Sequence, residues 1–457
     1  RLAHGGLCNG RDMCVAGMDT MTESPTASPE GGARTITRWR WLGLGAIVVL
    51  AAALGMAALL ATAAVTAAPV VFLSVGLLVF VGVSAGGIAL ATRRLPPGHR
   101  ERTRRIAFAV GTLAGISVFC LTMLVPLQDP RLPPAPVDGL AFWDLPTGSR
   151  IAYAYRPAAA DAHRDTPVVF IPGGPGVADM RGDLEYFGQL TRDGFDVYVY
   201  DTLGVGRSTR LDDPRGYTLE RDVADLAAIR EQIGAERLIL IGHSYGAVVA
   251  AAFLAQYPDS VERVIFSSPG GLYSLPAAGG NNIQSWLTTG ELVALYRLLL
   301  WPRATFIWGL VQINPQAAHA LGDDPEMDAR YDRVYNRTRP SLHCRGKPLG
   351  DELHGLGFYT NSVPRQPWAW LRPALAGKTA PALVIKGSCD YLTWDSAIDY
   401  LRTLPNATLA YLPDAGHNAY QDQPERFLDD IRAFLLGESP PDVLSDTRKP
   451  ADYEGPD

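Results

Sequence analysis

Gly242-His243-Ser244-Tyr245-Gly246 sets a hydroxyl between two glycines, after the apolar run Leu238 to Ile241 and before a helix-like segment, Tyr245 to Tyr257. A strand turning that sharply into a helix needs glycines where side chains would strike neighbouring strands, and it leaves the central side chain strained and exposed. Ser244 is therefore the candidate nucleophile. A serine hydroxyl reacts poorly at neutral pH without a base in hydrogen-bond reach, itself oriented by a third group. Asp390 follows the apolar run Leu383 to Ile385, and His417 follows Leu409 to Leu412, so strand ends would deliver an acid and a base. With eight histidines in the chain, few compete for the role. His243, carried on the turn itself, is expected to point its side chain away. Asp395, at an expected helix start, and Asp414, in the turn before His417, stay open as rival acids. An oxyanion hole needs backbone N–H groups aimed at the developing charge. The amide of Tyr245 is one candidate, and Gly174, on the turn Pro172 to Gly176 after the run Val168 to Ile171, is the other.

The elements that must position these groups are short apolar strands separated by turns and amphipathic helices. Ala141 to Leu145 and Arg150 to Tyr155 read as an opening hairpin. Val168 to Ile171, Val197 to Tyr200, Leu238 to Ile241, Val264 to Phe266, Leu383 to Ile385 and Leu409 to Leu412 read as buried strands. Leu219, Val223, Leu226 and Ile233 recur at helical spacing, which predicts a crossover helix. The order implies an α/β class fold with a mostly parallel eight-stranded sheet, helices on both faces, and a crevice at the strands' carboxyl ends. Residues 140–270 and 373–436 would form the two parts of this core. Residues 271–372, with Trp286, Tyr296, Trp301, Trp308 and Phe358, read as a helical cap inserted between the sixth and seventh strands. Residues 437–457, rich in Pro and Asp, are expected to be a disordered tail.

From about Phe142 to Leu436 the chain resembles the α/β-hydrolase superfamily, whose triad runs in the chain order Ser, acid, His. Within it, Gly173-Gly174-Pro175-Gly176 resembles the turn of the proline iminopeptidase branch. Asp201 to Ser208 is similar to that branch's Asp-Gln-Arg-Gly-x-Gly-x-Ser loop. Pro172 stands where the branch has His, and Thr202-Leu203 replace its Gln-Arg pair. The resemblance implies acyl hydrolysis without a metal or organic cofactor. A peptide amino terminus and a small or lipid-like ester both stay open as substrates, beside a catalytically silent binding protein of the same fold. An aminopeptidase would need acidic groups in its cap for the substrate amine. Glu291, Asp323, Asp324, Glu326 and Asp328 are available, and none is assigned, because a charge run more often marks a solvated helix end.

The resemblance leaves the first third of the chain unexplained. Of 457 residues 47% are hydrophobic and only 19% charged, with the apolar residues crowded toward the beginning. Runs at about 41–61, 69–91 and 106–127 lack charge and match the roughly 20 residues a spanning helix needs. They predict three transmembrane helices, over 38–129, followed by a Pro-rich linker, 130–139. Residues 1–37 are expected to be disordered, with Met18 and Met21 as candidate starts. Arg34, Arg38 and Arg40 precede the first span, and Arg93, Arg94, Arg100, Arg102, Arg104 and Arg105 lie between the second and third. The loop from Thr62 to Ala68 carries no charge. Basic flanks collect on the cytoplasmic side, so the chain is expected to be a multi-pass cell-membrane protein with its hydrolase domain on the extracytoplasmic side. The lipid bilayer is then one partner. The formal charge of −6 and the lack of a basic stripe argue against nucleic acid. Cys344 and Cys389 are the two cysteines in the expected exterior domain, and either a bond or two buried thiols would fit.

Overall fold

The computed structural model describes residues 30–159, 163–273 and 282–456. The first 29 residues of the expected disordered segment lie outside that description; from Glu30 the backbone is already helical, continuing to Ala63. Among the described residues, three helices are long and apolar enough to cross a membrane: Trp39–Ala63, Pro69–Thr92 and Pro97–Leu124. The first two meet closely at glycines. A Cβ on Gly55 would lie 2.8 Å from the Gly76 carbonyl oxygen, and one on Gly76 2.8 Å from Leu59 Cβ, the small-residue contact that brings helices together in lipid. The third helix begins earlier than its apolar run. Its first turns carry Arg100, Arg102, Arg104 and Arg105, because arginine is a good helix former and solvated there. It ends at Leu124, with Val125 extended before Pro126, as the steric restriction on a residue preceding proline requires.

Beyond the linker lies one eight-stranded sheet in the order β1-β2-β4-β3-β5-β6-β7-β8. The strands are β1 Ala141–Asp144, β2 Arg150–Arg156, β3 Val168–Ile171, β4 Val197–Tyr200, β5 Leu238–His243, β6 Val261–Ser267, β7 Ala382–Gly387 and β8 Ala407–Leu412. β1 to β2 and β2 to β4 pair antiparallel, and the remaining pairs are parallel. The central strands β3, β5 and β7 are buried along their whole length, as a sheet covered on both faces demands. The helix Leu219–Ile233 buries Leu219, Val223 and Leu226, starts on the Thr218 side chain and stops at left-handed Gly234. Between β6 and β7 run the helices Thr289–Leu299, Pro302–Ile313, Pro315–Leu321 and Asp324–Thr338.

These helices also meet the apolar segment. Asn314 donates to the Ala63 carbonyl at 2.8 Å, Arg303 to the Met123 carbonyl, and the Leu127 amide to Glu326 at 2.8 Å. The first and third apolar helices thus present the same end to the helical insertion, while the arginines between the second and third lie at the other end.

The chain after Leu436 is not the expected disordered tail. Val443 bridges Ala410 of β8 antiparallel, the Leu444 amide donates to Leu409 O and the Tyr411 amide to Asp442 O. Tyr453 is buried with its hydroxyl donating to Leu392 O at 2.7 Å. β8 is a sheet edge with unpaired backbone groups, and the tail covers it. Its Pro and Asp content hid the few residues that do so.

One tail contact carries a pH dependence. Asp430 is fully buried, accepts from the Asp442 amide through Oδ1 at 3.0 Å, and leaves Oδ2 without a partner. Burial and then the Asp442 charge raise its pKa to about 7, against the lowering pull of the Asp442 amide and Arg426. A folded value above the unfolded one stabilises fully below the ordinary carboxylate range, at about pH 4. The contribution is lost as pH rises through about 7. Thermal melts are expected to shift down between about pH 5 and pH 8, with a smaller shift in Asp430→Asn. An identical slope in the variant would place the dependence elsewhere.

Candidate active site

The turn after β5 has the geometry its sequence predicts. Ser244 sits at φ 54° and ψ −114° immediately before the helix Tyr245–Gln256, in the left-handed region that costs a non-glycine residue about 1–3 kcal/mol. The flanking glycines are sterically required. A Cβ on Gly242 would come within 2.4 Å of the Gly246 carbonyl oxygen, and one on Gly246 within 2.2 Å of that of Ile171. The Tyr245 amide opens the helix, where backbone donors have no intrahelical acceptor. Gly173 packs against the turn, since a Cβ there would lie 3.0 Å from Ser244 Cβ, and Gly174, at φ 115°, follows it. Gly176 leaves room for the insertion, whose Gly357 amide donates to its carbonyl at 2.9 Å.

Asp390 and His417 meet, as their positions after β7 and β8 predict. His417 Nδ1 lies 2.8 Å from Asp390 Oδ1, and both side chains are buried. Ser244, His417 and Gly174 line one cavity of about 440 Å³. The rival acids are elsewhere: Asp395 opens the helix Trp394–Thr403 with its side chain exposed, and Asp414 occupies a left-handed turn.

His243 departs from expectation. Its ring lines the same cavity, with its centroid 4.9 Å from that of His417 and Nδ1 3.3 Å from Ser267 Oγ. Side chains alternate along a strand, so position 243 shares the sheet face of Ile241 and Ile239, which is where the loop carrying His417 packs. Burial first, and the neighbouring His417 second, lower its pKa to about 3, so this ring stays neutral.

Sequence reasoning missed Lys386. It is fully buried at the end of β7, and Nζ donates to Asp390 Oδ2 at 2.8 Å and to Leu392 O at 3.0 Å. Burial alone would raise Asp390. Lys386 and then His417 outweigh it and hold the carboxyl below the ordinary range. Burial pushes Lys386 down, opposed by Asp390.

Cys344 and Cys389 are bonded, with 5.3 Å between their Cα atoms. The bond fastens the residue before Asp390 to the insertion, shortly after its helix Asp324–Thr338. Asp422 completes this fastening: Oδ2 accepts from the amides of Cys344 and Gly416 at 2.8 Å each, while Oδ1 lies 2.7 Å from His343 Nδ1. The Asn418 amide donates to Leu342 O at 2.9 Å. The loops bearing Asp390 and His417 are therefore held by one short segment, Leu342-His343-Cys344.

The acidic run of the insertion is committed to structure. Glu291 forms a capping box with Thr288, Asp323 caps the helix Asp324–Thr338, and Asp324 meets His319 at 2.9 Å. Glu326 pairs with Arg303, and Asp328 with Arg210 at 3.0 Å. The acids that do line the cavity are Asp179 and Asp183, outside the insertion. Burial raises both. Ile283, Leu299, Trp308 and Val334 give the cavity an apolar wall.

Comparison with known proteins places these features in context. The pattern described as alpha/beta hydrolase fold matches residues 166–424. Over 104 residues the chain is 39% identical to a proline iminopeptidase of Heyndrickxia coagulans, a match spanning 23% of this chain and only 35% of that protein. It is 26% identical over 286 residues to a proline iminopeptidase of Saccharolobus solfataricus, covering 59% of this chain and 84% of that one. The crystal structure of a proline iminopeptidase from Mycobacterium smegmatis covers 65% of this chain and 98% of its own, at 20% identity and a TM-score of 0.43.

Proposed function

The chain belongs to the α/β-hydrolase family, and from that premise we propose that it is a membrane-anchored serine hydrolase that cleaves an amide or ester through an acyl-enzyme on Ser244. The observation that carries this reading is the 2.8 Å contact between buried Asp390 and His417, which lines the same cavity as Ser244. In the reaction, His417 takes the Ser244 proton as Oγ attacks the substrate carbonyl, and Asp390 fixes the ring through Nδ1–H. The amides of Tyr245 and Gly174 receive the oxyanion. Collapse expels an amine or alcohol, protonated by His417, and water then repeats the sequence on the acyl-enzyme. The proline iminopeptidase relatives support an amino-terminal peptide substrate; esters are the competing class.

A fluorophosphonate probe is expected to label Ser244 in the detergent-solubilised full chain. Proline arylamides tested beside short 4-nitrophenyl esters then separate aminopeptidase from esterase. A folded chain that resists the probe would favour a silent, membrane-tethered binding protein.

The hydrolase domain is assigned to the extracytoplasmic side. Three features support this: the arginines flanking the apolar helices, the shared end that the first and third helices present to the insertion, and the disulfide, which persists in oxidising compartments. Protease added to intact cells is expected to remove the domain. Protection until the membrane is opened would reverse the topology.

A further inference from the structure

Three arginines are buried among the described residues: Arg303, Arg330 and Arg339. Two have carboxylate partners. Arg303 Nη2 reaches Glu326 Oε2 at 2.7 Å, and Arg330 Nε lies 2.7 Å from Asp129 Oδ2. Arg339, only 7% exposed, forms no ion pair with a described carboxylate. Among the described residues its guanidinium makes one side-chain hydrogen bond, from Nη1 to Asn336 Oδ1 at the long distance of 3.5 Å. That oxygen is already engaged by the Leu353 amide at 3.0 Å. A guanidinium carries five N–H donors in a planar fork and stays charged, and burying it without a counter-charge is costly. Arg339 lines the cavity that holds Ser244 and His417, and it also lines an adjoining cavity of about 480 Å³.

Asp179 lines the same cavity, and among the described residues it forms no ion pair with Arg339. Its carboxylate caps a helix by accepting from the Gly182 amide at 3.1 Å. Burial raises Asp179, opposed by the Gly182 amide and then by Arg181 and Arg339. Asp183, on the same cavity wall, is raised further by burial and then by Asp179, and Tyr420 donates to it at 3.3 Å.

We propose that Arg339 is a substrate-binding residue that receives a carboxylate carried by the substrate, in the cavity it shares with Ser244 and His417. This rests on the serine hydrolase reading. It deepens that reading by naming the substrate class: an apolar body with a carboxylate removed from the scissile bond. The planar fork suits a carboxylate, which it can hold through two parallel hydrogen bonds.

The test uses the full chain in detergent and three esters: 4-nitrophenyl butyrate, mono-4-nitrophenyl glutarate with its carboxylate on the acyl side, and 3-carboxy-4-nitrophenyl butyrate with it on the leaving group. One carboxylated ester is expected to exceed the neutral ester in kcat/KM by about tenfold or more, mainly through KM. Which one does so identifies the side of the scissile bond. Arg339→Met is expected to erase that ratio and Arg339→Lys to keep part of it. A wild-type chain without preference for either acid, or a ratio unchanged in Arg339→Met, overturns the proposal. Calorimetry on the Ser244→Ala chain separates this failure from failure of the hydrolase reading. There 4-phenylbutyrate is expected to bind about tenfold more tightly than its methyl amide, whether or not any ester turns over, and equal binding of acid and amide also overturns the assignment.

Discussion

Ser244→Ala is expected to lower kcat on any accepted ester or amide by about 10⁴-fold or more, to abolish fluorophosphonate labelling, and to leave the fold intact. The loss is large because the hydroxyl is the atom that becomes acylated, and nothing beside it can substitute. The adjacent His243 is a buried neutral ring held against Ser267. Stability should move the other way in a second variant. Ser244 is held at φ 54°, so Ser244→Gly removes the Cβ that makes this conformation unfavourable and should stabilise by about 1 kcal/mol. Serine supplies chemistry there at the expense of backbone strain. Thermal melts of the two variants beside steady-state rates check both statements. An alanine variant that retains most of its activity would remove Ser244 from the reaction.

How much of this was legible in the sequence depends on the range of the interaction concerned. The strands were readable because each is a short apolar run, and the Ser244 turn because strand, glycines and helix are consecutive. Asp390 and His417 were readable from their positions after β7 and β8. Lys386 was not: a lysine ending an apolar strand reads as a solvated terminus, and only its pairing with Asp390 through the intervening loop explains its burial. His243 was misread because the turn was considered without the alternation of the strand leading into it. Cys344 and Cys389 are 45 residues apart, and spacing at that range does not decide between a bond and two thiols. Arg339 and Asp179 come from separate elements that converge only at the cavity. The tail deceived for a compositional reason, since a few residues such as Val443, Leu444 and Tyr453 suffice to cover an edge strand.

Asp390→Asn is expected to reduce kcat by about 10⁴-fold, because an amide oriented toward His417 favours the wrong tautomer for accepting the serine proton. It should also destabilise the domain, for a different reason. Lys386 and Asp390 are both fully buried and 2.8 Å apart, and removing one charge leaves the other uncompensated, at about 3–5 kcal/mol. The linkage has a defined sign. Asp390 is held below the ordinary carboxylate range, so its stabilising contribution is present at neutral pH and is lost as pH falls through its depressed value. The variant should therefore lose most relative stability near neutrality and least in acid. The double variant Asp390→Asn/Lys386→Met removes both charges and should recover much of the stability while the rate stays low. That outcome separates the two roles of Asp390: holding the ring of His417, and compensating Lys386. If the double variant regained activity along with stability, the slow rate of Asp390→Asn would reflect a disordered loop, and Asp390 would have no direct part in orienting the base.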